Sequence, residues 1–277
     1  MCLIAFAIDA AADCPLLVAA NRDEHFARPT APLQRWRLEG GADVVAGRDL
    51  REGGTWMGLT PGGRVAWLTN VRQPGLERGD RSRGELVSRW LDSRADAEGF
   101  ADGLEAARYG GFNLVVGDLR RGRWHWLSNR DPAQPHAPPS EAQAVRLHLA
   151  PLSAGVHTLS NATLDTPWPK ARRLAEALRQ ALAEPHAAEP VLADALTDTR
   201  HADDAELPQS GVPLAIERAL SSPFVRMPER AYGTRSSTLL RWHSSGVLQV
   251  DEWTHGPGSD RPVLAADRHR REAFTVA

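Results

Sequence analysis

Short apolar runs closed by turns occupy both ends of the chain, and stretches of helical spacing lie between them. Residues 2–9 and 15–21 read as two strands joined by a turn over 10–13. Strands and turns continue to residue 72, ending with 55–59 and 64–71 around Pro61-Gly62-Gly63. Residues 85–107 hold two helical stretches, with Leu86, Val87, Trp90 and Leu91 at helical spacing. A hairpin is expected at 110–118 and 122–127, short strands at 145–149 and 156–159, and a last hairpin at 236–242 and 247–253. Residues 168–183, opened by Pro167 and Pro169, form an amphipathic helix. No βαβ alternation runs through this order, so the pattern predicts an α+β fold with largely antiparallel sheets. A four-layer αββα sandwich, two sheets between helices, is consistent with it.

No repeat of 20–50 residues and no long linker interrupts the 277 residues, which read as one domain over 1–277. Within it, the Ala/Asp-rich stretch 184–222 is expected to be a peripheral helical excursion and 260–277 a peripheral tail. Residues 76–84 and 132–139 read as loops. With 35 acidic against 33 basic side chains, net charge −2, the chain has no overall attraction for nucleic acid or an anionic membrane. No run approaches the ~18 apolar residues of a membrane span. No basic segment precedes the apolar start, and Asp9 and Asp13 interrupt it, so a secretory leader is not expected and the reading is cytoplasmic. Lys170 is the only lysine; with the many alanines this suggests a GC-rich bacterial genome rather than a functional device. Neither His-Glu-x-x-His nor Cys-x-x-Cys occurs, and no metal site is expected. Gly53-Gly54-Thr55-Trp56-Met57-Gly58 lacks the lysine of a phosphate-binding loop.

The two cysteines test the hairpin register. It sets Cys14 opposite about Asp9 and Cys2 opposite about Asn21, with the sulfurs roughly 20 Å apart, so both thiols are expected to be free. The same register places Cys2 beside Asn21-Arg22-Asp23.

Several residue types there can carry chemistry. Methionine is commonly removed before a small second residue, which would leave Cys2 with a thiol and a free α-amine. That amine titrates at about 7.7–8.0 and can take the thiol proton, making a nucleophile and its base on one residue. Read alone, Cys2 is equally a small buried hydrophobe. Asn21-Arg22-Asp23-Glu24 follows an apolar strand as a polar strand end, and an Arg–carboxylate pair beside Cys2 can lower its pKa and hold it. Trp67-Leu68-Thr69-Asn70 and Thr158-Leu159-Ser160-Asn161 each end a β-like run with Asn, a donor for a developing oxyanion or simply a turn former. Residues 232–238 lead into the last hairpin and either supply Arg235 to the same site or form a plain polar loop. Cys14-Pro15 is a dipeptide of the kind that sometimes ligates haem through its thiolate, or the start of a buried strand; His25 and His125 are candidate axial ligands by residue type alone.

Taken together, these segments resemble the NRDE family, also called the transport and Golgi organisation 2 family. The resemblance rests on Met1-Cys2, residues 21–24 with Arg28-Pro29-Thr30, Ala46-Gly47-Arg48-Asp49, residues 53–58 and residues 68–72. It continues through Ser82-Arg83-Gly84, Phe112-Asn113-Leu114, Leu159-Ser160-Asn161, Trp168-Pro169-Lys170 and residues 232–238. His25 stands where the family has an aromatic Phe or Tyr. The family in turn resembles N-terminal-nucleophile hydrolases of the choloylglycine hydrolase and penicillin V acylase type. That implies an αββα fold, with Cys2 as nucleophile, Arg22 beside it and Asp23 or Glu24 as the acid. Asn70 and Asn161 fall at the oxyanion, and Arg235 is the late arginine. Two functions follow. One is a cysteine amidohydrolase, needing no cofactor, that cleaves a non-peptide C–N bond of a small-molecule amide. The other is a non-catalytic carrier of haem, an acyl-lipid or acyl-CoA in the same pocket. Asn21, Glu24, His25, Trp56, Trp67 and Arg72 are the candidates to line that pocket, with core packing the alternative for the tryptophans.

Overall fold

The computed structural model of the chain describes residues 2–73, 79–137, 147–257 and 264–276. Met1 lies outside the described residues. So do 76–78 and 138–139 of the expected loops, 145–146 of an expected strand, and 260–263 and 277 of the tail.

The chain opens with β1 (Cys2–Ile8) and β2 (Leu16–His25), which pair antiparallel. It then lays down β3 (Thr30–Arg37), β4 (Asp43–Asp49), β5 (Met57–Leu59) and β6 (Arg64–Asn70). Two helices follow, α1 (Gly84–Asp92) and α2 (Ala97–Asp102). Next come β7 (Phe112–Asp118), β8 (Arg123–Ser128), β9 (His148–Pro151) and β10 (Gly155–Leu159). Three more helices are α3 (Pro169–Ala183), α4 (Ala188–Leu196) and α5 (Leu214–Ala219). The last strands are β11 (Arg226–Met227), β12 (Tyr232–Trp242), β13 (Val247–Thr254) and β14 (His269–Thr275). Among the described residues these strands make two seven-stranded sheets. The first runs β10-β1-β2-β12-β13-β14 with β11 added to β12; the second keeps chain order from β3 to β9. The mainly antiparallel α+β architecture is therefore the expected one.

Contacts divide the chain into two compact units. One comprises 1–28, 154–160 and 165–274 and carries the first sheet; the other comprises 29–153, 161–164 and 275–277 and carries the second. In the first unit α3 lays its buried face, Lys170, Ala171, Leu174, Ala175, Leu178 and Ala181, on β1, β2 and β10. α4 packs on α3 and β2. In the second unit Leu86, Val87, Trp90 and Leu91 of α1 join Phe112, Leu114, Val116 and Leu127 of the sheet in one core. Each such fully buried leucine contributes about 2 kcal/mol of transfer free energy. Residues 269–275, in the segment read as a tail, supply the edge strand of the first sheet.

Two boundaries and one register differ from the sequence reading. The tetrapeptide Asn21–Glu24 is not a strand end, because β2 runs through it to His25. β2 is central, with β1 on one side and β12 on the other: Asn21 and Arg22 are paired with both neighbours, and Asp23 and Glu24 with β12. Residues 232–235, read as loop, are already strand β12, laid against the motif with Tyr232 opposite His25. The β1–β2 register pairs Cys2 with Arg22 and Ile8 with Leu16, one residue from the expected alignment. Side chains alternate along a strand, so this one-residue difference exchanges Asn21 for Arg22 on the face Cys2 occupies. Both thiols are free, as the spacing predicted.

Candidate active site

Cys2 begins β1 and is buried, with Arg22 directly across from it. Its carbonyl accepts a hydrogen bond from Ser160 Oγ at 3.1 Å. Burial pushes its thiol pKa up and the Asp23 carboxylate adds to the rise, while the Arg22 guanidinium and the Asp23 backbone N–H act the other way. The sulfur is therefore a thiol at neutral pH and needs a base to become a nucleophile.

The motif on β2 divides between two faces. Arg22 and Glu24 alternate onto the face of Cys2. Arg22 is 7% exposed, and its NH1 finds no hydrogen-bond partner among the described residues. Glu24 is partly buried, yet the His25 N–H that it accepts, with Arg22 and Arg28 nearby, holds its carboxyl below the ordinary value. Asn21 and Asp23 point to the other face, toward the helices. The Asn21 amide donates to the Leu196 and Pro223 carbonyls at 2.8 and 2.9 Å, and its Oδ1 accepts from Ser237 Oγ at 2.6 Å. Asp23 Oδ1 accepts from Thr234 Oγ1 at 2.7 Å, and Thr234 Oγ1 in turn accepts the Val225 N–H at 2.9 Å. Burial pushes the Asp23 carboxyl up, against the opposing pull of Lys170, Thr234 and Arg22. Of the two acids, Asp23 is thus the dry one; Glu24 is the one on the Cys2 face.

Arg235 enters through an irregularity. The β2–β12 ladder shifts between Thr234 and Ser236, leaving Arg235 as an extra residue beside Arg22. Its NH1 donates to the carbonyls of His25, Phe26 and Arg28 at 2.9, 3.2 and 3.0 Å. It therefore clasps the chain leaving β2.

The second unit brings the two asparagines together. Asn161 Nδ2 donates to Asn70 Oδ1 at 3.1 Å and to the Asn70 carbonyl at 3.0 Å, and the Arg72 N–H donates to the Asn161 carbonyl at 2.8 Å. Asn113 supports the same turn, donating to the Ala162 carbonyl at 2.7 Å. Both donor sites of the Asn161 amide are thus engaged by Asn70. The Asn70 amide nitrogen has no partner among the described residues. Arg72 is buried, and its carbonyl lies 2.8 Å from His136 Nδ1. Trp67 is fully buried and packs its ring 5.7 Å from that of Trp124, while Trp56 is partly buried.

Of the residues considered for haem, Cys14 and His25 lie at opposite ends of β2. Cys14 lies beyond the start of β2, where Sγ meets the Leu16 carbonyl at 3.3 Å, and burial raises its pKa. His25 closes the other end of β2, edge-on to Tyr232 at 5.0 Å. The strand between them spans roughly 30 Å. His125 belongs to the second unit, 3.5 Å from Glu98.

Ser160, Thr234 and Lys170 take part in the Cys2 neighbourhood although the sequence reading gave none of them a role there. Each lies in a segment the family resemblance had singled out, which was the available signal.

Residues 1–256 match the family described as Transport and Golgi organisation 2. The bovine Transport and Golgi organization protein 2 homolog is 33% identical over 279 residues, covering 94% of this chain and 91% of its own. The human homolog is 31% identical over 258 residues, covering 86% and 85%. Among solved structures, a mutant of the conjugated bile acid hydrolase of Clostridium perfringens aligns with 99% of this chain and 92% of its own, at TM-score 0.51 and 9% identity. A second variant of that hydrolase aligns at TM-score 0.52 and 8% identity, covering 98% and 96%. These likenesses show that the chain shares the fold of that hydrolase. On the match along its length and the identity to curated relatives, the chain belongs to the Transport and Golgi organisation 2 family.

Proposed function

We propose that the protein is a cysteine amidohydrolase that cleaves a non-peptide C–N bond of a small-molecule amide. The observation that carries this reading is the pairing of Cys2, first residue of a central-sheet strand, with the buried Arg22 whose NH1 is uncommitted. The fold likeness supports it.

The chemistry follows from the state of the thiol. Removal of Met1 makes the α-amine that of Cys2. In its neutral form this amine takes the proton from Sγ, and the thiolate adds to the amide carbonyl carbon. The negative charge passes to the carbonyl oxygen. The family resemblance implies asparagine amides, Asn70 and Asn161, as the donors to that oxygen. The ammonium then returns its proton to the leaving nitrogen as the C–N bond breaks, leaving a thioester on Cys2. Water, deprotonated by the same amine, attacks the thioester and releases the carboxylic acid and the thiol. Arg22 NH1 offers a charged donor to a substrate oxygen beside the nucleophile. No cofactor enters this sequence.

The test is turnover of a panel of N-acyl amides by wild type and Cys2→Ala, with the melting temperature measured alongside. The expected result is hydrolysis by wild type that Cys2→Ala abolishes while its melting temperature stays close to wild type. Turnover retained in Cys2→Ala overturns the mechanism. Saturable binding of amides without turnover by the Met1-trimmed wild type overturns it in favour of a ligand carrier.

A further inference from the structure

Lys170 is the single lysine of the chain, and it is 1% exposed. It lies in the first turn of α3, a 15-residue helix with no acidic residue in that turn. A cation is unfavourable at a helix N-terminus, and burying an ammonium costs several kcal/mol unless an opposite charge meets it. Helix formation therefore does not account for a lysine there. Its position belongs to the face of α3 that packs on β1, β2 and β10.

Asp23 is the matching charge. It is 1% exposed, and it alternates onto the same side of β2 as Asn21, whose amide bonds the last residue of α4. Both charges thus occupy the dry layer between the first sheet and its helices. The positive charge of Lys170 acts on the Asp23 carboxyl, and the Thr234 hydroxyl donates to it. Arg22 also acts on it. Asp23 in turn acts on Cys2, as carboxylate and through its backbone N–H.

We infer that Lys170 is a positioning residue for the Cys2 nucleophile: its buried ammonium pairs with the Asp23 carboxyl in the dry layer behind β2, and that pair sets the charge behind Cys2. The inference rests on the reading of Cys2 as nucleophile, but it concerns the charge behind the thiol and is testable without a substrate. Without Lys170, a carboxylate in that layer takes up a proton. Cys2 then loses the negative charge that helps hold its proton, so its pKa falls.

The experiment measures iodoacetamide alkylation of Cys2 against pH in a Cys14→Ser background. Lys170→Met is expected to move the midpoint to lower pH by about half a unit or more. Asp23→Asn is expected to move it the same way, and the double variant no further than Asp23→Asn alone. Lys170→Arg, which keeps the charge, is expected to stay closer to wild type than Lys170→Met. An unmoved midpoint in Lys170→Met, or shifts that add in the double variant, overturns the inference. Should Lys170→Met fail to fold, the double variant is expected to regain folding, because it leaves no lone buried charge; failure to regain it counts against the pair. A wild-type measurement guards the result. With one lysine, ¹³C-lysine labelling gives a single side-chain Cε signal, expected to move in Asp23→Asn. A signal indifferent to Asp23→Asn also overturns the inference. These readouts stand whether or not any amide is hydrolysed.

Discussion

Arg235 is the extra residue of a β-bulge that falls between the pairs Thr234–Asp23 and Ser236–Arg22. The bulge frees its side chain from the regular alternation of β12 and lets one guanidinium nitrogen gather three carbonyls where β2 ends. The Arg22–Asp23 segment is therefore held from behind by β12 and at its exit by Arg235.

Removing that clasp is expected to loosen the exit of β2. Arg235→Ala should cost about 2 kcal/mol in urea unfolding, the scale of hydrogen bonds from a charged donor. Arg235→Lys should recover only part of it, since an ammonium lacks the planar reach of a guanidinium. Full recovery by lysine would show that charge alone matters there.

Thr234→Val is nearly isosteric but deletes a hydroxyl that both donates to Asp23 and accepts from the Val225 N–H. It leaves a buried amide without its acceptor, so a loss of about 1–3 kcal/mol is expected. Thermal unfolding of the variant checks this; an unchanged midpoint would contradict the hydrogen-bond assignment.

Asn21 anchors the sheet to its helices rather than facing Cys2. Asn21→Ala should destabilise by about 2–4 kcal/mol, because two buried carbonyls and a hydroxyl lose their partner. The pH dependence of Cys2 alkylation should stay where it is in wild type, provided the variant is assayed folded. A shifted alkylation profile would place Asn21 on the nucleophile's face after all.

His255 makes stability depend on acid. Its Nε2 sits 2.9 Å from Ser237 Oγ, and burial, aided by Arg268, pushes its pKa down from 6.5 to about 4. The unfolded chain binds the proton near its ordinary value while the folded one does so near 4, so stability falls as pH drops between these limits. The loss amounts to about 3 kcal/mol at most. Denaturant unfolding from pH 7 to 4 should show this slope in wild type and a flatter one in His255→Gln. An equal slope in both would assign the acid sensitivity to other groups.

Much of this neighbourhood was legible in the sequence, and what was missed is instructive. The strand order at both ends, the helix at 168–183 and the free thiols follow from periodicity and spacing, which are local properties. The resemblance singled out Asn70 and Asn161, and the structure adds the hydrogen bond between them. The course of β2 through Asn21–Glu24 was hidden because four polar residues in a row read as a strand end. Asn21 and Asp23 find their buried partners in Leu196, Pro223, Thr234 and Ser237, far along the chain. The β1–β2 register was one residue out because a turn read from composition does not fix which residues close it; here the Asp9 N–H bonds the Pro15 carbonyl. Lys170 looked like a trace of genome composition, since burial of a side chain is decided by the element that packs over it.

The most direct test of the central claim is the intact mass of the untagged protein before and after exposure to an activated N-acyl substrate. The account expects a mass short by one methionine, then a gain of one acyl group that maps to Cys2 and is absent in Cys2→Ala. A trimmed protein that acquires no acyl group at Cys2 would contradict it, and so would acylation that survives in Cys2→Ala.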